Sequence, residues 1–526
     1  MCFVLSSCSF FKNSGEDDDT IIMQPENSSV FNLAIDSIDT FNPILTKSVS
    51  IKDAMQLIFE PLYSFDEGLN PIPVLAKSCT KSDNAMNYQL KIKDSVFWHD
   101  NTALTALDVL HTINLIRFND TSYTKRLSCI GSVSLIDNYT LSINLKRPVP
   151  NFYALLSFPI IQNSSADQLQ SDYLPIGTGP FKYDSKISSD NILLVINENW
   201  HNTLPAINEV HLNTLKNTSD IINAFNAGYI DAVTSTVINL SNNAIRGEIS
   251  GKDYTSNALT FLGFNTSKSF FKSPNTRKAL SYLIDRADIV TNEIFSRGVA
   301  SKIPVNPSAW YYPKIADTKH DNQYIHEMLT LDGWAKTQDN LYKRTAQRYD
   351  QEQDKMTDVE ENLKANILVN DNNEERYRIA TNIAEKFNAF GIQTTITLVS
   401  YEDYVQRTQN LDYSVFIGEI KLSENMDAYS LLSSSGNYFS YSSNAMDSMI
   451  YQLGITTPEN QAKIYTDYAN LFLEEMPFVP LFFRKESVYF EKSVQGISAP
   501  NLFCSYQNPQ NWYITNKRPI ETNTQK

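Results

Sequence analysis

Residues 90–113 read LKIKDSVFWHDNTALTALDVLHTI. Leu90, Ile92, Val96 and Trp98 are apolar while Lys91 and Lys93 face the other way, the period of two of a half-buried strand. His99, Asp100 and Asn101 then form a polar break, where Asp and Asn suit a tight turn. Thr105 is a good helix N-cap, and Asp108 at the third helical position is placed to reach back as in a capping box. The stretch therefore predicts strand, turn and capped helix in immediate succession. It carries no catalytic pattern of its own.

Working outward, the bulk numbers set the frame. A chain of 526 residues is too long for one core and corresponds to about three or four domain equivalents. With 42% hydrophobic and 12% aromatic residues, order is expected almost throughout. The net charge of -15 argues against nucleic acid, whose phosphate backbone requires a basic face. No apolar run approaches the roughly 18 residues needed to cross a bilayer. The five cysteines (Cys2, Cys8, Cys79, Cys129, Cys504) show no CxxC spacing, so no disulfide framework is predicted. His99, His111, His201, His211, His320 and His326 are dispersed without HExxH or i, i+4 spacing, so neither a metal centre nor another cofactor is expected.

The first eight residues end in Leu5-Ser6-Ser7-Cys8 and resemble a bacterial lipobox, which makes Cys8 the expected lipid attachment point. The apolar run before it is short and lacks a Lys or Arg, unlike a complete signal peptide. The polar, acidic stretch that follows (Gly15-Glu16-Asp17-Asp18-Asp19) suits a tether. Ordered sequence begins near Val30, with Phe31, Leu33 and Ile35 alternating as a strand. Residues 54–63 have a helical pattern stopped near Pro61.

Three blocks now carry a resemblance. LIFEPLYSFDEGLNPIPVLAKSCTKSDNAMNYQLKIKDSVFWHDNTALTALDVLHTI (57–113) resembles the amino-terminal block of the peptide/nickel class of solute-binding proteins that serve ABC importers. LPIGTGPFKY (174–183) resembles the Gly-Thr-Gly-Pro-Phe turn of that class, with a strand through Ile192, Leu194 and Ile196 and then Asn199-Trp200 after it. LTFLGFNTSKSFFKSPNTRKALSYLIDRADIV (259–290) is similar to a third. On physical grounds Gly177 and Gly179 permit a tight turn and Pro180 fixes its exit. No lysine follows as in a phosphate-binding loop. Ser273 is an N-cap with Pro274 at the first helical position, Leu280, Leu283 and Ile284 form a buried stripe, and Arg277 is expected to support packing.

Beyond this, residues 303–313 read as an ordered Pro- and aromatic-rich loop, and 344–361 as a solvated excursion. Residues 365–369 read as a strand, followed by a helix with Ile379, Ile383, Phe387 and Phe390 on one face and Gly391 as its C-cap. The alternation of Ile392, Thr394, Ile396 and Leu398 then completes a parallel strand–helix–strand unit. MPFVPLFFRKESVYF (476–490) reads as a core strand that returns the chain to the first lobe.

The resemblance implies an α/β, bilobal periplasmic-binding-protein-like fold of type II in its large cluster with an extra subdomain, with mixed sheets in two lobes. The expected division is a leader and tether over 1–27, lobe one over 28–257 plus 483–513, lobe two over 258–482 and a tail over 514–526. A hinge with two crossings, near Phe264 and Pro480, is expected to close the cleft on ligand. The implied function is that of an extracellular substrate-binding lipoprotein at the outer face of a bacterial cell membrane, a monomer that captures oligopeptides and delivers them to the ABC permease subunits. It has no enzymatic step. The resemblance further implies an extended peptide hydrogen-bonded along an edge of each lobe, the β-augmentation mode: Ser37-Ile38-Asp39 in one and Gly418-Glu419-Ile420-Lys421 in the other. Many relatives place an amine-binding aspartate just after the second edge. Leu422 stands at about that place here, so Glu419, Glu424 or, preferably, Asp427 would have to hold a ligand ammonium. A different solute (a metal chelate, haem or an oligosaccharide) on the same fold is one alternative. An extracellular hydrolase is another, although no GxSxG or HExxH supports it.

Overall fold

The computed structural model describes residues 30–163, 173–235, 249–315, 321–350 and 354–515. Cys8, the acidic tether and residues 516–526 of the expected tail lie outside the described residues. Among the described residues, eleven strands form one mixed sheet that runs through the molecule, ten along one path and Gly298–Ala300 paired off it with Phe478–Glu491. At its centre are two long antiparallel partners, Ile249–Phe264 and Phe478–Glu491. On one side of this ribbon lie Ala232–Thr234, Val30–Ile35, Glu209–Thr214, Asn191–Ile196 and Phe181–Ser188; on the other lie Val415–Lys421, Lys364–Asn370 and Gln393–Val399. The strand Val30–Ile35 forms as expected, with Phe31, Leu33 and Ile35 buried.

The apolar residues separate into distinct cores. One cluster gathers side chains from Phe31 to Leu212 and from Val488 to Ile514, while another draws only on residues from Leu262 to Phe482. The ribbon joins them. Its pairing runs regularly to Thr255 opposite Lys485, shifts before Leu259 opposite Phe483, and shifts again between Thr260 opposite Phe482 and Phe261 opposite Pro480. That irregularity lies where the chain passes between the clusters. Of the two residues expected to mark the crossings, Pro480 sits at the second shift, opposite Phe261, while Phe264 lies beyond it and packs inside the second cluster. The crossings are a single hydrogen-bonded ribbon, and apolar content alone does not reveal a register slip.

The 90–113 stretch forms much as read. Asn87–Ile92 is a central strand of a separate four-stranded sheet, and Val96 and Trp98 are buried beyond its end. The helix Ala106–Phe118 begins at Thr105, whose N–H and hydroxyl donate to Asp108 Oδ2 at 2.8 and 3.0 Å. The unit Lys364–Asn370, Glu374–Phe390, Gln393–Val399 is parallel as predicted, and Gly391 caps its helix at φ 109°. The sequence reading is corrected in two places. The helix expected over 54–63 is Val49–Met55, and Leu57 and Ile58 instead give their carbonyls to the N–H groups of Phe181 and Gly179. The excursion at 344–361 is a hairpin of Tyr342–Asp350 and Lys355–Asn362. Cross-strand ion pairs such as Arg344 with Glu361 and Lys343 with Glu360 support it, in place of the apolar alternation that marks a strand in sequence.

Candidate ligand-binding cleft

The first two resembling blocks meet in lobe one. His99 N–H donates to the Gly177 carbonyl at 2.9 Å, and the imidazole bridges the same turn, accepting from Gly177 N–H at 3.2 Å and donating to Gly179 O at 3.1 Å. Burial pushes His99 down to about 4, so the ring is neutral, as this donor–acceptor pattern requires. Glu60 beneath the turn accepts from Thr178 Oγ1 at 2.8 Å, Trp200 Nε1 at 3.3 Å and His201 Nε2 at 2.9 Å. A Cβ on Gly177 would stand 1.9 Å from the Ile58 carbonyl oxygen. These residues brace the lobe. Arg277 is likewise structural: it is buried and donates to the carbonyls of Phe271, Lys272, Glu475 and Met476, with burial pushing it down to about 10.

The two segments nominated for the ligand have free backbone. Ser37, Ile38 and Asp39 follow directly on Val30–Ile35 and have left its ladder. Ser37 and Asp39 are exposed, Ile38 leans on the lobe-one core, and among the described residues the backbone of Ser37 and Ile38 makes no hydrogen bond. On the other side, Val415–Lys421 pairs along its full length with the ribbon, but its second neighbour, Lys364–Asn370, stops opposite Phe416. Gly418, Glu419, Ile420 and Lys421 thus form an open edge among the described residues. The Ile417 carbonyl points to that side, where Tyr404 Oη donates to it at 2.7 Å. Because antiparallel backbone groups alternate in direction, the N–H and C=O of Glu419 and Lys421 point there too. Gly418 must stay glycine, since a Cβ would meet the rings of Phe261 and Phe416 at 2.6 and 2.7 Å.

Lys52, on the helix Val49–Met55, relates the two edges. Burial pushes this half-buried ammonium down, helped by the charges of Lys47 and Lys421, while Asp39 and Asp53 act in the opposite direction. Its electrostatic neighbours therefore include both nominated segments. Partial burial works against the Asp39 carboxylate, but bonds from Thr46 Oγ1 and the N–H groups of Lys47 and Thr40 hold it below its ordinary range. Beneath Lys52, burial drives Asp53 up to about 7 despite hydrogen bonds from Ser505 and Thr234, and the Glu486 charge adds to the rise. Glu486 sits on the returning ribbon strand and accepts from Tyr254 Oη on the outgoing one.

The three carboxylates considered for a ligand ammonium are all engaged. Glu419 pairs with Arg484 and accepts from Thr260 Oγ1 at 3.1 Å. Glu424 is buried against Arg126, and Asp427 pairs with Arg147, whose guanidinium lies 4.0 Å from the Tyr429 ring centre. The latter two pairs join the lobes, together with Asn425 Nδ2 donating to Pro150 O at 2.9 Å and Gln461 Nε2 to Asn151 Oδ1 at 2.6 Å. Arg126 and Arg147 went unnoticed in the sequence because their partners lie 298 and 280 residues away. Among the described residues there is no cluster of three or more His, Cys, Asp or Glu side chains able to hold a metal ion. Nor is any helix there long and apolar enough to cross a membrane.

The sequence pattern of the family described as "Bacterial extracellular solute-binding proteins, family 5 Middle" matches residues 70–442. Oligopeptide-binding protein AppA of Bacillus subtilis is 25% identical over 528 aligned positions, covering 94% of each chain. Its solved structure, in complex with a nonapeptide, superposes with a TM-score of 0.61 at 22% identity, covering 93% of this chain and all of that one. Heme-binding protein A of Haemophilus influenzae is 21% identical across 84% of each chain. The structure of HbpA2 from Haemophilus parasuis matches with a TM-score of 0.76 at 18% identity, covering 92% of this chain and 100% of that one. The arrangement of separate cores about one central ribbon is thus the periplasmic-binding-protein-like fold.

Proposed function

The chain belongs to family 5 of the bacterial extracellular solute-binding proteins, and on that premise we propose that it captures oligopeptides between its lobes and delivers them to an ABC permease. The observation that carries the peptide reading is the open edge at Gly418–Lys421 in one lobe, together with backbone that is likewise free at Ser37 and Ile38 in the other. An extended peptide would complete both ladders through its own N–H and C=O groups, and such binding is tolerant of sequence. Residues 28–257 with 483–513, and 258–482, would move as two bodies about the ribbon, and a bound ligand favours whichever arrangement gives it more contacts. Anchoring through Cys8 belongs to the same reading, as does monomeric action at the outer membrane face. No bond is made or broken.

Native mass spectrometry of the protein purified from its producing cells tests the ligand class. A series of adducts with peptide masses is the expected result. One adduct of a single mass, with an absorption band near that of a porphyrin, would replace it with the second reading, haem capture in the same cleft. That reading draws on the likeness to Heme-binding protein A.

A further inference from the structure

We propose that two buried side-chain amides, those of Asn306 and Asn257, clamp the ribbon where it passes between the lobes and so hold the lobes in contact. This rests on the ligand-capture reading above and names the residues that position the lobes for it. At the first register shift, Ser256, Asn257 and Ala258 stand on the outgoing strand where only Arg484 stands on the returning one. Extra residues of this kind turn backbone carbonyls out of the ladder, and a buried carbonyl requires another donor. Asn306, fully buried, supplies it. Its Nδ2 donates to Thr255 O at 3.0 Å, to Ser256 O at 3.2 Å and to Asn257 Oδ1 at 2.9 Å, while its Oδ1 accepts from Ser308 N–H at 3.0 Å. Thr255 is the last regularly paired residue on the lobe-one side, whereas Val305, next to Asn306, packs in a lobe-two cluster. The amide therefore bonds across the shift.

The segment carrying Asn306 is itself held. Pro304 and Pro307 restrict its backbone, and Gly298–Ala300 just upstream pairs with Arg484, Phe483 and Phe482 of the returning strand. One stretch of chain thus grips both strands of the ribbon. Four residues beyond Asn306, Trp310 N–H donates to the Gly68 carbonyl of lobe one at 2.9 Å. Leu69 beside it packs into the lobe-two cluster at a φ of 58°, a conformation a leucine keeps only where its surroundings impose it. Asn257 carries the connection onward. Its carbonyl accepts from Leu422 N–H at 2.9 Å and its Nδ2 donates to Ser423 O at 3.3 Å, directly after the open edge Gly418–Lys421. Glu424 and Asn425 then reach Arg126 and the Pro150 carbonyl of lobe one. Consecutive hydrogen bonds so join the ribbon, the ligand edge and the seam between the lobes. Without the amides, the buried carbonyls can regain partners only from water, which enters as the lobes part. The clamp favours closure.

The full-length protein without added ligand tests this, as wild type, Asn306→Ala and Asn257→Ala, by small-angle scattering and backbone hydrogen exchange. Each variant should show a larger radius of gyration. The Leu422 amide should exchange about tenfold or more faster, while the Ile367 and Ile383 amides deeper in lobe two keep their wild-type protection. A random nonapeptide library should bind each variant about tenfold more weakly, because less of the protein is closed beforehand. If Asn306→Ala does not fold, Asn257→Ala decides by the same measurements. A wild-type radius in the folded variants, or equal acceleration at Leu422, Ile367 and Ile383, would reduce both amides to packing and overturn the clamp. Larger radii in the variants, with no binding of the library by the wild type, would leave the clamp standing and overturn peptide capture.

Discussion

Arg147 in lobe one and Asp427 in lobe two are direct ion-pair partners, and the Arg147 guanidinium also lies over Tyr429, two residues beyond Asp427. A residue that sequence reasoning assigns to the ligand is thereby engaged in holding the lobes to each other. A second pair, Arg126 with Glu424, does the same three residues earlier and is more deeply buried.

Replacing Asp427 with Asn should weaken free-amine and N-acetylated peptides alike, because the partner it loses is Arg147. Stability should fall by about 1–2 kcal/mol, the lower part of the range for stripping one partner from a partly buried pair. Urea unfolding of D427N, R147Q and the double variant measures the coupling, and strictly additive losses would remove the pair's role. A loss confined to free-amine peptides would restore Asp427 as the ligand's anchor.

Gly454 offers an independent test of the same junction. It lies in the helix Asn444–Ile455, where alanine should be better by roughly 1 kcal/mol on helix propensity alone. Its Cβ would stand 2.7 Å from the carbonyl carbon of Pro148 in the other lobe. G454A should therefore loosen the contact, seen as a larger radius in small-angle scattering. A more stable variant of unchanged radius would show that the contact is absent in solution.

Asp53 predicts a pH dependence of definite sign. Its folded value, about 7, lies above the ordinary 3.8, so the folded protein retains a proton that the unfolded chain has released. The favourable contribution is complete below pH 3.8 and is lost as pH rises through about 7, amounting to about 4 kcal/mol at most. His99, pushed down to about 4, acts oppositely below pH 6.5, so Asp53 must be tested by difference. The unfolding free energy of D53N relative to the wild type should rise steadily between about pH 4 and pH 7 and level off above. A constant difference across that range would sink the assignment.

The glycines rank by what surrounds them. G177A places a methyl 1.9 Å from the Ile58 carbonyl oxygen and should cost about 3 kcal/mol or more, or prevent folding. G333A has open space but a φ of +79° and should cost only about 1 kcal/mol. Similar losses at both sites, measured by chemical denaturation, would contradict the close packing of the two loops.

What could be read from sequence was what is local. Thr105 and Asp108, Ser273 and Pro274, and Gly391 fix helix ends through atoms within a few residues of one another. The strand–helix–strand unit around Ile379 carries its period openly. The hairpin at 342–362 was missed because its support is charge pairing across two strands, which leaves no apolar alternation. The roles of Glu424 and Asp427 depended on Arg126 and Arg147, whose proximity exists only after folding. Lys52 showed nothing in sequence, since a lysine on a short helix is ordinarily solvated.

The lobe-one core is sealed by residues from the two ends of the described chain: the Phe31 ring lies 5.0 Å from that of Trp512, and Val488, Phe490 and Ile514 pack into the same cluster. The cluster from Leu262 to Phe482 needs no such partner. During synthesis, that cluster can therefore form as soon as its own stretch has emerged. The earlier-made lobe one must wait, its first strand exposed, until the last residues arrive. Removing residues 507–526 would take Trp512 and Ile514 out of this cluster and leave the older lobe's core unfinished.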